Sequence, residues 1–200
     1  MTTYLSLDVL EAAPNARDPQ EDAFHRSVAG LDPGLGSRWF RGRDSVPKVA
    51  RTFVWTCANR SEIVALKAFL DARKGQAIPF WLPSRRRDLI LAQAAGASDP
   101  GISIQAMGYT RFLFPAKARR HLAFRVGAAW IFRSVTDAAE GPLTETLTLS
   151  SAAGAVLPLD TLVSQLLLCR LAADEVGISY LTDSVAEAHI PYVEIPQEAP

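Results

Sequence analysis

The stretch KVARTFVWTCANRSEIVALKAFLDARKGQAIPFWLP, residues 48–83, contains the clearest structural signals in the sequence. Its first ten residues, 48–57, are rich in β-branched and aromatic side chains and predict a strand. Its last seven, 77–83, are again apolar and aromatic, close with a proline and predict a second strand. The residues between them repeat with a helical period. The stretch therefore predicts a strand–helix–strand unit.

The helix, predicted over 60–74, carries its own start and stop signals. Asn59 and Glu62 have the spacing of a capping box, in which the amide oxygen accepts a backbone N–H and the carboxylate reaches back. One apolar face consists of Ile63, Leu66, Phe69 and Leu70. Gly75 supplies the left-handed backbone conformation that ends a helix. The fold-defining residues are Asn59, Glu62, Leu66, Phe69, Leu70, Gly75, Phe80, Trp81 and Pro83.

From residue 85 onward the pattern predicts strands separated by turn residues. The candidate strands lie at 88–93, 101–107, 110–114, 121–126, 129–136, 143–149, 163–171, 175–181 and 185–195. Short strands at this spacing are typical of a small sandwich or barrel. Residues 162–174 also fit a helix, and that alternative stays open.

The first 44 residues have sparse apolar positions and many turn residues, with one short candidate strand at 4–10. They predict a loop-rich arm that needs a partner surface to order it. The chain is thus predicted to be mainly β (α+β). Its main β domain comprises 45–93 and 160–200, and a small β domain is inserted at 94–159.

Charge is segregated along the chain although the net charge is zero. Residues 1–37 carry a net charge of −4, residues 38–133 one of +13, and residues 134–200 one of −9. A basic middle between acidic ends fits self-association, an anionic ligand, or contacts within one subunit. These three interpretations stay open.

Sequence motifs for catalysis and metal binding are missing. There is no Gly-x-Ser-x-Gly, no histidine has a sequence neighbourhood that pairs it with a nucleophile, and the three histidines are dispersed along the chain. Cys57 and Cys169 have no metal-ligand spacing and are predicted to be buried free thiols. The sequence therefore predicts no enzyme and no cofactor, and the weaker enzyme alternative would use Asp174, Glu175 or His189.

Two arginine clusters are the strongest candidate binding features. Arg38, Arg41 and Arg43 surround two aromatic residues, and the triplet Arg85, Arg86 and Arg87 follows the second strand of the opening stretch. Arginine beside aromatics can bind nucleic acid. Arginine is also the preferred cation at protein interfaces, where it meets carboxylates. A protein–protein surface is preferred, with nucleic acid and a solvated loop as the alternatives.

Residues 45–93 and 160–198 resemble distal tail and related minor tail proteins of long-tailed phages and of phage-like gene transfer agents. In that family a strand leads to a helix with the pattern E…L..FL and a glycine stop, and then to a strand with an aromatic pair and a proline. The chain's second matching segment closes with a strand, a Thr-Asp turn and a last strand. The matching residues there are Arg170, Leu171, Asp174, Thr182, Asp183, Glu194, Ile195 and Pro196.

The resemblance implies a tail-tube-like fold, a β-sandwich or split barrel closed by one helix. It implies a structural virion protein that forms a ring, a hexamer in distal tail proteins, between the tail tube and the hub. The alternatives are a tail completion ring and a head-proximal connector ring. The implied partners are the tail tube, hub and tape measure proteins, and the implied locations are the virion and, during assembly, the host cytoplasm.

A ring of copies needs matching surfaces on each subunit. The predicted subunit-interface residues are Arg38, Arg41, Arg43, Arg85, Arg86, Arg87, Asp174, Glu175, Asp183 and Glu194. No apolar run approaches the length of a membrane span, so no membrane partner is expected.

Overall fold

The computed structural model describes residues 2–15, 23–26, 28–32, 34, 37–42 and 48–200. Over these residues the fold is mainly β with one long helix, which confirms the predicted class. The helix, α1, spans Arg60–Arg73. The strands are β1 (Thr3–Tyr4), β2 (Leu7–Asp8), β3 (Ala23–His25), β4 (Val28–Leu31), β5 (Trp39–Gly42), β6 (Lys48–Cys57), β7 (Phe80–Pro83), β8 (Gly101–Gln105), β9 (His121–Val126), β10 (Ala129–Glu140), β11 (Thr144–Leu149), β12 (Leu162–Leu171), β13 (Ile178–Tyr180) and β14 (Ala186–Glu194).

The described residues form two compact units. One, here called the sheet unit, contains those in 1–11, 81–167 and 199–200. The other, called the helix unit, contains those in 12–80 and 168–198. These boundaries differ from the predicted insertion at 94–159. Residues 89 and 91 belong to the core of the sheet unit, because Leu89 and Leu91 pack among its buried side chains.

In the helix unit, β14 is the central strand. It pairs antiparallel with β6, with the last residues of β12 and with β13. Apolar residues alternate along β6, so Phe53 and Trp55 face inward, and Phe53 packs edge-on against Tyr192 of β14. Cys57 and Cys169 are buried thiols that are not joined in a disulfide, as predicted.

The signals that predicted α1 are confirmed. The Asn59 side chain accepts the Glu62 N–H at 2.9 Å, and the Glu62 carboxylate accepts the Ala58 N–H at 2.8 Å. At the other end, Lys74 and Gly75 both adopt left-handed backbone conformations, with φ of +50° and +64°.

One side of the helix is buried. Ile63, Leu66 and Phe69 are buried as predicted, while Leu70 is half-buried. Arg73 completes the buried stripe because its guanidinium donates to the Pro79 carbonyl at 3.0 Å. Phe69 packs edge-on against Phe80, which ties the helix to the strand that follows it.

The sheet unit is built on consecutive antiparallel pairings. Its strands lie in the order β9, β10, β11, β8, and the first part of β12 pairs with β9 on the other side. Its buried core includes Ile104, Leu122, Phe124, Leu147 and Leu157. The strands at 48–57 and 121–126 have the predicted ends, and those predicted at 77–83, 101–107, 129–136, 143–149, 163–171, 175–181 and 185–195 are present with shifted ends. The helical alternative for 162–174 is therefore wrong.

Three predicted strands are wrong. Residues 4–10 form the short hairpin β1–β2 instead of one strand, because Leu5 and Ser6 both have positive φ and reverse the chain. Residues 88–93 make only isolated bridges, since Leu89 pairs with β12 and Leu91 with β8. Residues 109–113 form a π-helical turn where a strand at 110–114 was predicted.

Candidate protein interaction site

The segment predicted as an arm contains a two-stranded hairpin, β4–β5. Its register places Leu31 opposite Trp39 and Gly30 opposite Phe40. Directly opposed residues share a face of an antiparallel pair. One face of the hairpin therefore carries Leu31 and Trp39, and the other carries Phe40.

Both faces of this hairpin are open to solvent in the single chain. Leu31 is 68% exposed, Trp39 74% and Phe40 71%. An isolated two-stranded hairpin is at best marginally stable in water, and large exposed apolar patches mark interaction sites. The hairpin thus has the apolar composition of a buried element, but no surface among the described residues covers it.

The charged residues of the hairpin differ in their contacts and exposure. Arg38 forms an exposed ion pair with Asp32 at 2.8 Å, and the Asp32 carboxylate also accepts the Gly34 N–H. Arg41 lies opposite Ala29, on the face of Leu31 and Trp39, and is exposed. The predicted interface residue Arg43 lies outside the described residues.

The arginine triplet, the second predicted cluster, is not a uniform surface. Arg85 has a φ of +58°, donates to the carbonyls of Leu10 and Glu11, and lies 5.5 Å from the Trp130 ring centroid. Arg86 is half-buried. Arg87 is exposed and donates to the Asp160 carbonyl at 3.0 Å.

The predicted acidic partners also divide into internal and surface residues. Glu194 is 1% exposed, so its carboxylate is part of the interior. The Asp174 side chain accepts the Gln76 N–H at 3.0 Å and fastens the end of the helix. Glu175 and Asp183 are exposed, and Asp183 accepts Arg60 only at its backbone oxygen.

These exposed acids flank β13. The segment 174–187 contains four acids and no lysine or arginine. Tyr180 and Leu181 are 55% and 59% exposed, and the Lys67 ammonium lies 5.4 Å from the Tyr180 ring. This edge of the helix unit therefore combines exposed apolar side chains with negative charge.

The residues of the weaker enzyme alternative are not brought together as a catalytic set. His189 and Glu175 are exposed, and Asp174 caps the helix end. His121 is buried and its Nδ1 is 3.1 Å from the Tyr4 hydroxyl, and the Trp81 ring lies against it at a tilt of 48° with the ring centroids 4.7 Å apart. Burial lowers the pKa of His121, the Pro200 backbone acts to raise it, and Arg120 lowers it further.

A buried carboxylate that the sequence reasoning missed organises one loop of the sheet unit. Glu145 is 0% exposed, and its Oε1 accepts the N–H groups of Met107, Gly108 and Tyr109 while Oε2 accepts that of Thr110, at 2.6–3.1 Å. Burial acts to raise the pKa of Glu145, but hydrogen bonds from Thr110, Met107 and Tyr109 outweigh it and lower the pKa to about 2.

A sequence signal for this residue existed. In TETLTL, the alternation places Glu145 on the same face as Leu147 and Leu149, and a carboxylate on an apolar face needs partners. The partners themselves, more than 30 residues away, leave no local pattern. The hairpin β4–β5 was missed for a different reason, since its short strands are separated by a long turn-rich loop.

In the described part of the chain, no three His, Cys, Asp or Glu side chains are grouped closely enough to hold a metal ion. No described helix has the length and apolar character to cross a membrane. In comparisons with known proteins, neither a protein family nor a curated protein matches this chain.

Proposed function

We propose that this chain is a structural virion protein of a phage tail. Copies of it form a ring, with six subunits, at the tail tip, and the ring joins the tail tube to the hub or baseplate. The fold is then a tail-tube-like sandwich or split barrel. The tail tube, hub and tape measure proteins are its neighbours, and the host cytoplasm is where it assembles.

The observation that carries this proposal is the exposure of the hairpin β4–β5. Leu31, Trp39 and Phe40 expose apolar surface on both faces of the hairpin. Exposure of so much apolar surface is unfavourable for a monomer in water and is typical of an interaction site. A subunit that is ordered by its neighbours in a ring would bury that surface after assembly.

The sequence motifs of the resemblance have structural positions consistent with a building block. Gly75 ends the helix in a left-handed conformation, and Phe80, Trp81 and Pro83 are buried residues of β7. Each of these residues helps to determine the fold. Assembly of a ring depends on the shape of its subunits. A structural role fits this use of residues better than a catalytic one.

Charge segregation also supports contacts between copies. Exposed Arg41 and Arg87 belong to the basic middle of the sequence, whereas exposed Glu175 and Asp183 belong to its acidic last third. Such complementary surfaces favour head-to-tail contacts, which close into a ring when the rotation between subunits permits.

A tail completion ring and a head-proximal connector ring are alternatives within the same class, distinguished by position along the tail. Nucleic-acid binding is a weaker alternative, supported by exposed Arg41 beside exposed Trp39 and Phe40. It predicts retention on DNA that falls steeply with salt concentration. Retention that is weak and insensitive to salt would remove it.

The proposal is tested on particles. Mass spectrometry of purified tailed particles from the host should detect this chain, and cryo-electron microscopy should place its fold in a ring at the tail tip. Particles from a deletion strain serve as the control and should lack that density. Intact, complete tails without this chain would contradict the proposal.

A further inference from the structure

Some strand edges in the described residues are covered by other parts of the same chain. On the outer side of β8, Ala92 donates to the Ser103 carbonyl and Gln105 donates to Ile90. The Trp81 carbonyl in β7 accepts the Leu10 N–H. Natural proteins protect sheet edges in this way because open edges pair with other chains.

In the helix unit, β3, β4, β5 and β13 each have a single strand partner among the described residues, and the edges of β5 and β13 carry side chains of opposite character. The hairpin strand β5 has β4 as its strand partner, and β13 has β14, and the described residues provide neither with a second one. The two edges have similar lengths, four residues in β5 and three in β13. Each is about 10–13 Å long at the usual rise per residue.

The side chains around these two edges are complementary. The hairpin carries three exposed side chains, Trp39, Phe40 and Arg41. The Asp32 carboxylate of the hairpin pairs with Arg38 and not with Arg41. Around β13 lie Tyr180 and Leu181, both exposed, within the acidic segment 174–187. Lys67 and Arg60 of α1 approach this segment, but Arg60 contacts the Asp183 carbonyl and leaves the exposed carboxylate for a partner.

We infer that the hairpin β4–β5 of one copy docks on β13 of a second copy, by adding β5 to the open edge and covering Tyr180 and Leu181. Backbone hydrogen bonds extend the sheet across the two copies, and side-chain contacts select the partner. Arg41 then meets the acidic segment, with Asp183 as the nearest exposed carboxylate on the turn after β13.

This contact is heterologous, because the donor hairpin and the acceptor edge are different surfaces of one chain. Each copy therefore keeps a free acceptor and a free donor after the first contact, and repetition gives a ring or an open filament. The inference rests on the proposed ring function and names the surfaces through which the copies join.

Cross-linking tests the contact in the full chain. Phe40→Cys and Tyr180→Cys variants, tagged to differ in mass, are mixed with a short thiol-reactive cross-linker. The native Cys57 and Cys169 are buried and give a low background. The expected product is a mixed dimer linked through positions 40 and 180. The matched control mixes Phe40→Cys with Lys117→Cys, an exposed position of the sheet unit.

Products linked only through position 40 of both copies would overturn the inference in favour of hairpin-to-hairpin pairing. A mixed product no stronger than that of the Lys117→Cys control, or a wild-type chain that stays monomeric at every concentration, would overturn it as well. Circular dichroism of each variant verifies that it is folded before cross-linking.

A charge exchange provides the second measurement. Arg41→Glu and Asp183→Lys should each weaken association by about tenfold, and combining both in one chain should restore most of it. Glu140→Lys, an exposed substitution in the sheet unit, is the control and should leave association unchanged. Equal weakening by all three would overturn the inference. Whether the chain is present in phage particles is measured in a separate experiment, so equal weakening by all three variants would not by itself contradict the proposed function.

Discussion

Glu145 shows how one side chain determines a loop that local sequence does not. Its two carboxylate oxygens accept four consecutive backbone N–H groups, from Met107 to Thr110. Charge-assisted hydrogen bonds of this kind are stronger than neutral ones. They hold the π-helical turn in place, and they explain why the apolar run that follows does not continue as a strand.

Glu145→Gln should destabilise the protein by about 2–4 kcal/mol, because an amide NH₂ then faces buried N–H donors and leaves some of them unsatisfied. Urea unfolding monitored by fluorescence measures the loss. Glu140→Gln, on the exposed end of β10, is the control and should change stability by less than about 0.5 kcal/mol. Equal losses in the two variants would show that the hydrogen bonds of Glu145 are not responsible.

His121 predicts a pH dependence of stability. Because burial lowers its pKa below the ordinary 6.5, the unfolded chain binds a proton more readily than the folded one. The stability from neutral His121 is therefore complete above pH 6.5 and decreases as the pH falls below it, by at most about 1.4 kcal/mol per pH unit. Unfolding free energies measured between pH 7.5 and 5.5 should show this slope.

His121→Gln should flatten the slope, since glutamine does not titrate. His189→Gln makes the same substitution at an exposed position and is the variant with which the slope of His121→Gln is compared. A slope unchanged by His121→Gln would assign the pH dependence to other groups.

At the scale of the element, the end of α1 depends on a glycine facing a carboxylate. Gly75 has a φ of +64°, and a Cβ at this position would clash with Oδ1 of Asp174. Asp174, a predicted interface residue, is exposed and also fastens the helix end by accepting the Gln76 N–H.

Gly75→Ala should therefore cost about 1–3 kcal/mol, from the left-handed conformation and the clash together. Combining it with Asp174→Ala relieves the clash, so the double variant should lose less than the sum of the single losses. Chemical unfolding of the four proteins gives this coupling. Gly177→Ala, where φ is not positive and no atom lies within 4 Å, is the control. Simple additivity would contradict the close approach of Asp174.

The elements that the sequence predicted well have local causes. β6 and β9 have the predicted ends, and the helix begins at its Asn59 cap. The elements that it missed depend on distant partners. Residues 88–93 contain a short apolar run like that of a strand, but they bridge to two different strands and so form no continuous ladder.

The sequence predicted which kinds of charged residue form the candidate site, but not which of them lie at the surface. The sequence indicated that Arg41 and Asp183 belong to surfaces of opposite charge, and both are exposed. It could not separate them from Arg85 and Glu194, whose side chains face the protein itself. Which charges remain at the surface is decided by tertiary contacts, which leave no spacing pattern in the chain.

At the scale of the whole molecule, the arginine triplet should be tested one residue at a time. Arg85→Glu should lower stability by about 1–3 kcal/mol, because it removes the hydrogen bonds to the Leu10 and Glu11 carbonyls. Arg87 is exposed, so Arg87→Glu should leave stability unchanged within about 0.5 kcal/mol. Thermal unfolding measures both.

Sizing of the same two variants then separates fold from assembly. If the triplet is a subunit interface, Arg87→Glu should reduce the oligomer while the monomer stays folded. An unchanged oligomer with Arg87→Glu would leave Arg87 as a solvated residue and remove the triplet from the interface.

The two compact units interleave along the chain, and this has a consequence for synthesis. The strand β6 leaves the ribosome more than 100 residues ahead of β14, with which it pairs. Until then the nascent chain displays the apolar side of α1 and an incomplete sheet, which are targets for chaperones. A single cut between residues 80 and 168 separates the two blocks of the helix unit, so the resulting fragments should aggregate, whereas the uncut chain folds.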